Sequence, residues 1–210
     1  MTDTTPPATN DDATNDDARS VGAGPSRRTR VRRRLPGDRT SRETLERMIR
    51  VDQAGEYGAV RIYEGQMAVL GNRTANAAAL RHMRDQEQVH LDTFNDLVRQ
   101  RRVRPTAMAP VWHALGFALG AGSALLGEKG AMACTVAVEE AIEKHYQAQA
   151  DAMADDEADL RETVLRFRDE ELEHRDIGLR NGAEQAPAYP LLYAFVKANS
   201  RLAIWVSERV

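Results

Sequence analysis

Glu-x-x-His occurs twice in this chain, as Glu87-Gln-Val-His90 and as Glu171-Leu-Glu-His174. Each copy sits in a helical stretch, where a separation of three residues brings two side chains to one face about a turn apart. One such pair means little, because glutamate is common on helices; two on separate helices constrain the fold. A second layer of spacing sharpens the pattern. Glu56 precedes Glu87 by 31 residues and Glu139 precedes Glu171 by 32. Each half therefore reads as a helix with a glutamate, then a helix with Glu-x-x-His. Tyr63 follows Glu56 by seven residues, and Tyr146 follows Glu139 by seven. Seven residues is nearly two turns, so each tyrosine returns to its glutamate's face.

A ferritin-like di-iron bundle calls for one glutamate from each of two helices and Glu-x-x-His from each of the other two. The spacing thus selects Glu56, Glu87, His90, Glu139, Glu171 and His174 as ligands of two iron ions. Two Fe(II) bring four positive charges, and four carboxylates cancel them in a water-poor core. Without metal, the same carboxylates would take up protons through repulsion and desolvation. Oxygen and nitrogen ligands suit iron, whereas a structural zinc site would prefer thiolates in a closed set of four. Glu140 and Glu143 rival Glu139. Glu140 is turned about 100° away on a helix, and the tyrosine pairing with the 31/32 spacing favours Glu139 over Glu143. Glu64, Glu157, Glu162 and Glu173 read as solvated surface residues, and His82, His113 and His145 as ordinary histidines. His145 adjoins Tyr146 and can line the pocket. Asp52, one turn before Glu56, and Glu170, just before Glu171, are candidates to orient the two ligand histidines.

The remainder of the sequence supports an all-α chain. Ala, Leu, Arg and Glu abound, aromatics are 5%, and no alternating strand pattern stands out. Thr40 lies three residues before Glu43, a capping-box spacing that starts a helix running to about Leu70 and ending at Gly71-Asn72. Further helices are expected over about 74–102, 129–154, 157–180 and 191–208. Residues 1–38 read as a disordered tail: ATNDD occurs twice in tandem, and an arginine cluster follows over 27–34. That cluster suits a solvated linker, or attraction to an anionic membrane worth about 1 kcal/mol per cation. The tail begins with acids and has no apolar stretch, so neither a secretory signal nor a transit peptide is expected. Residues 39–210 are expected to form one domain. The net charge of −3 argues against nucleic acid as a partner, and the single cysteine, Cys134, excludes an internal disulfide or a cysteine metal cage.

One segment departs from the bundle pattern. Residues 105–127 carry no formal charge and only one ionisable side chain, His113. The stretch is long enough to span a bilayer, which takes about 20 apolar residues. Four glycines (Gly116, Gly120, Gly122 and Gly127) weaken it as a straight helix. A spanning helix, an interfacial helix dipping into one leaflet and a buried core helix all fit, and the interfacial reading is preferred. Leu191, Leu192, Phe195, Leu202, Ile204 and Trp205 of the last helix offer a second apolar surface to join it.

In RVDQAGEYGAVRIYEGQMAVL (50–70), MRDQEQVHLDTFN (83–95), the stretch 102–146 ending in VEEAIEKHY, FRDEELEHRDIGL (167–179) and APAYP (186–190), the chain resembles the demethoxyubiquinone hydroxylase family. The likeness covers nearly all of 40–210. It implies membrane-associated di-iron monooxygenases of ubiquinone biosynthesis, with the same six ligands and with Glu87 and Glu171 as bridging carboxylates. It implies a polyprenylated methoxy-benzoquinol and O2 as substrates, with one oxygen atom entering the ring. Tyr146 matches a family tyrosine near the iron that assists electron or proton delivery. The 105–127 segment becomes the membrane-facing element that admits the isoprenoid tail. Peripheral attachment to the cytoplasmic side of a bacterial cell membrane, an oligomer, and accessory lipid-binding or ubiquinone-biosynthesis proteins follow from the same likeness. In the wider di-iron class an acid often precedes each motif glutamate; here Gln86 takes that place in the first motif. Two other readings compete: a ferritin- or rubrerythrin-like protein handling iron or peroxide, and a non-catalytic helical scaffold at a membrane.

Overall fold

A computed structural model describes residues 39–72 and 74–210; the expected tail and its arginine cluster lie outside them. Arg39–Val210 forms one compact unit. Its six helices are α1 (Ser41–Leu70), α2 (Ala77–Arg101), α3 (Ala109–Ala124), α4 (Glu128–Ala152), α5 (Ala158–Arg180) and α6 (Tyr189–Ser207). No strand occurs among the described residues.

Local chemistry sets the helix ends. Thr40 Oγ1 accepts from the Glu43 amide at 3.0 Å, and Glu43 Oε2 accepts from the Thr40 amide at 2.6 Å, the reciprocal pair the sequence predicts. Gly71 closes α1 at φ 70, a conformation glycine adopts without steric cost. The acidic turn after α4 forms a short 3₁₀ helix, Asp155–Glu157, and Glu157 accepts both terminal nitrogens of Arg101 at 2.9 and 2.8 Å. α6 begins at Tyr189, earlier than expected. Pro190 lies in its first turn, where a missing N–H costs nothing.

α1, α2, α4 and α5 make the bundle. α1 and α2 pack together, α4 packs on α5, and α4 also supports α3 and α6. Two apolar plugs fill the bundle. One gathers Met48, Ile49, Phe94, Tyr146, Leu160 and Phe167; the other gathers Tyr63, Leu80, Met83, Met132, Val136 and Ile177. Along α2, Glu87 and His90 fall between Met83 and Phe94. Along α5, Glu171 and His174 fall between Phe167 and Ile177. A polar layer is thereby closed off above and below by hydrocarbon.

The uncharged segment folds as a helix of 16 residues, and no described helix is long and apolar enough to cross a membrane. That removes the spanning reading. The buried-core reading also fails, because only Gly120, Ser123 and Ala124 of α3 are buried while Leu115 is exposed. One face of α3 lies hard against α1. A Cβ added at Gly120 would overlap the Ile62 carbonyl, and one at Gly65 would overlap the Phe117 carbonyl. The other face is open beside α6, to which Trp112 Nε1 is tied through Ser207 Oγ at 3.0 Å.

Candidate metal centre

The four bundle helices deliver six polar side chains to one buried layer. Glu56 comes from α1, Glu87 and His90 from α2, Glu139 from α4, and Glu171 and His174 from α5. None exceeds 1% exposure. They form two overlapping groups: Glu56, Glu87, His90 and Glu171 in one, and Glu87, Glu139, Glu171 and His174 in the other. In each group one oxygen or nitrogen per residue lies within 4.8 Å of every other. His90 Nδ1 is 3.2 Å from Glu171 and 3.4 Å from Glu56; His174 Nδ1 is 3.1 Å from Glu87 and 3.3 Å from Glu171. Glu87 and Glu171 belong to both groups, the position a bridging carboxylate must hold.

Eight atoms of this layer have no hydrogen-bond partner: Oε2 of Glu56 and Glu139, both oxygens of Glu87 and Glu171, and Nδ1 of both histidines. Leaving so many buried polar atoms unsatisfied would cost the fold heavily. Their inward aim and oxygen-and-nitrogen chemistry fit two divalent cations. Without cations the layer draws protons. Burial, then the charges of Glu171 and Glu56, pushes Glu87 well above the usual carboxylate range. Burial, then Glu171 and Glu87, does the same to Glu139. Burial works against a charged His90, but the carboxylates of Glu171 and Glu56 close to its Nδ1, with the charge of Glu87, raise it to about 12.

A family model described as ubiquinone biosynthesis protein COQ7 matches residues 43–207. The chain belongs to the COQ7 family. The 3-demethoxyubiquinol 3-hydroxylase of Rhodospirillum rubrum is 63% identical over 177 residues, covering 84% of each chain. A human relative, named NADPH-dependent 3-demethoxyubiquinone 3-hydroxylase, mitochondrial, is 54% identical over 88% of each chain. The Saccharomyces cerevisiae 5-demethoxyubiquinone hydroxylase is 42% identical, covering 79% of this chain and 78% of its own.

In this COQ7-family chain all six residues singled out from sequence meet in one layer, and the rivals lie elsewhere. Glu140 turns to α6, where it accepts from Lys197 and Tyr193, and Glu143 is outside both groups. The tyrosines correct a detail. Each shares its own glutamate's face, yet its hydroxyl crosses the layer. Tyr63 donates to Glu139 Oε1 at 2.6 Å, and Tyr146 donates to Glu56 Oε1. Burial and the adjoining carboxylates raise both phenols well above their usual range, so they remain proton donors.

The groups behind the histidines also cross. Glu170 Oε2 lies 2.6 Å from His90 Nε2, and Gln86 Oε1 lies 3.0 Å from His174 Nε2. Glu170 thus has the orienting place expected of it, but on the histidine of the other motif. Asp52 does not: its Oδ1 lies 3.0 Å from His145 Nε2 and accepts from Gln149 at 2.8 Å. Burial raises the Asp52 pKa against the pull of His145. Phe167, absent from the sequence reading, stacks on His90 with ring centroids 4.0 Å apart. Its place four residues before Glu171 and seven before His174 puts it on the ligand face.

Beside the layer runs an apolar groove of about 670 Å³ between α1, α3, α4 and α6. Gly55 and Val138, each next in sequence to a cluster glutamate, are part of its wall. A Cβ added at Gly55 or Gly58 would meet nothing within 4 Å.

Proposed function

We propose that the chain is a di-iron monooxygenase that hydroxylates the ring of a polyprenylated methoxy-benzoquinol, demethoxyubiquinol, in ubiquinone biosynthesis. The observation that carries the reading is the set of eight unpartnered buried atoms, arranged around two positions that share Glu87 and Glu171. The names of the relatives supply the substrate class: a demethoxylated ubiquinol or ubiquinone that receives a hydroxyl group. Residues 39–210 would be the catalytic unit.

In this reading Glu56, His90, Glu139 and His174 would each hold one iron, and Glu87 and Glu171, common to both groups, would serve the two together. Iron held there would supply the activation of dioxygen. Tyr63 and Tyr146 occupy one oxygen of each terminal glutamate, leaving the other for the metal. Tyr146, with its proton retained at the Glu56 carboxylate, is the group proposed to assist proton or electron delivery. The groove, with apolar walls and a glycine-lined side next to Glu56, suits an isoprenoid tail with its ring toward the cluster. Hydroxylation consumes O2, two electrons and two protons; one oxygen enters the ring and the other leaves as water.

Membrane attachment has its own support. Leu115 of α3 and Leu191, Phe195, Leu202 and Trp205 of α6 are large, apolar and more than half exposed. Such a surface suits the headgroup and acyl boundary of one leaflet, here the cytoplasmic side of a bacterial cell membrane. A ferritin-like iron store has no use for it.

The test has two parts. Purified protein should hold two iron atoms per chain, and Glu171→Ala should lose both iron and hydroxylation. A strain lacking the protein should accumulate a quinone precursor short of one ring oxygen. Normal turnover by Glu171→Ala, or an unchanged quinone profile, overturns the reading.

A further inference from the structure

The two halves of the cluster match in ligands but differ in what stands behind the histidines. His90 and His174 both present Nδ1 to the layer, with no hydrogen-bond partner. A metal on Nδ1 requires that nitrogen bare, which leaves the single proton of each ring on Nε2, facing outward. For His90 the acceptor is the Glu170 carboxylate at 2.6 Å; for His174 it is the Gln86 amide oxygen at 3.0 Å. A carboxylate behind an imidazole N–H makes the ring a stronger donor to a metal on its other nitrogen, and fixes its orientation more firmly than a neutral amide does. The remaining ligands do not offset the difference. Glu56 and Glu139 each have one oxygen taken by a tyrosine, and Glu87 and Glu171 are common to both groups. Phe167 stacks on His90 at 4.0 Å, while Tyr63 meets His174 edge-on at 6.3 Å.

We propose that Glu170 and Gln86 are positioning residues that make the two metal positions unequal. The position held by Glu56 and His90 takes a divalent cation first, and the one held by Glu139 and His174 takes it second. This rests on the two-metal reading above. Changes behind a ligand histidine typically alter metal affinity by about 10–100-fold, so a stepwise filling with about a tenfold preference is expected. At limiting metal the chain is then mainly a one-metal species with a defined occupant.

The test is site-resolved occupancy, not turnover. Crystals of metal-free protein are given one equivalent of Co(II), and anomalous scattering is measured at each position. Density concentrated beside Glu56 and His90 supports the inference; equal density, or an excess beside Glu139 and His174, overturns it. Glu170→Gln retains the shape and the acceptor oxygen but removes the charge, and should level the two occupancies. Gln86→Glu supplies the missing charge and should level them from the other side. A preference that survives both substitutions in folded protein overturns the assignment to these residues. Failure of the wild-type chain to bind cobalt at all would instead remove the two-metal reading beneath it.

Discussion

Glu87 shows how function strains this core. Its two oxygens are buried without a partner, between Glu56 and Glu171. Glu87→Gln removes one of the mutually repelling acids from the layer. The metal-free protein should become more stable by on the order of 1 kcal/mol, about 2–4 °C in Tm at this chain length, while its metal content collapses. Thermal melts and metal analysis check the two effects separately. The pH dependence has a definite sign. In the metal-free protein Glu87 and Glu139 titrate above the usual carboxylate range, and His90 and His174 above the usual imidazole range. Folding therefore takes up protons at these four groups, and their stabilising contribution is present at low pH and lost as pH rises through the raised values. Glu171 runs the other way. Burial opposes its ionisation, but the imidazoles of His174 and His90 close beside it hold its pKa low, so its contribution is lost as pH falls. Metal needs bare ligands, and these four groups hold their protons above their ordinary ranges. The gain in Tm on adding Co(II) should therefore grow steadily from about pH 5.5 to about pH 8, without levelling off above the ordinary imidazole pKa of about 6.5. A gain that shrinks with pH contradicts the site. The ligands themselves were legible in the sequence because Glu-x-x-His and the 31/32 spacing are properties of single helices. The crossed partners were not, since Tyr63 reaching Glu139, or Gln86 reaching His174, depends on how two helices face each other. Spacing within one helix is silent on that.

At the scale of elements, the bundle helices were readable from caps and breakers, and their ends differ from the expectations by only a few residues. α3 was harder. An uncharged segment has no polar face to mark its orientation, so composition left three placements open. The deciding feature is the close approach to α1 at Gly65 and Gly120, where backbone meets backbone. Gly120→Ala must push α3 off Ile62, and should destabilise the fold by about 1–3 kcal/mol, as overpacking does. Gly122, two residues along the same helix, has nothing within 4 Å of an added Cβ. Gly122→Ala should be neutral or stabilising by up to about 1 kcal/mol through helix propensity. Chemical denaturation of the two variants makes the comparison, and a similar loss in both would mean that α3 is not held by this contact.

For the whole molecule, the distribution of apolar surface is lopsided. A chain that spent its hydrophobic residues only on a bundle core would leave few large ones outside. Here Leu115, Leu191, Phe195, Leu202 and Trp205 stand exposed on α3 and α6, the two helices that also wall the groove. α6 is tied to α4 through Lys197 and Tyr193 on Glu140, so its outward face is held in place. Burying a side chain of this size is worth roughly 1.5–3 kcal/mol, and several together suffice to hold a protein on a bilayer. The double substitution Leu202→Glu with Trp205→Glu should abolish co-flotation with phospholipid vesicles while leaving metal content intact, because neither residue touches the polar layer. Val89 of α2 is also well exposed, but α2 packs on α1 and α5 and has no contact with α3 or α6. Val89→Glu should therefore leave flotation unchanged. If the α6 variant floats as well as the parent, the apolar face serves another purpose, and a polyprenylated substrate must reach the groove without the protein resting on lipid.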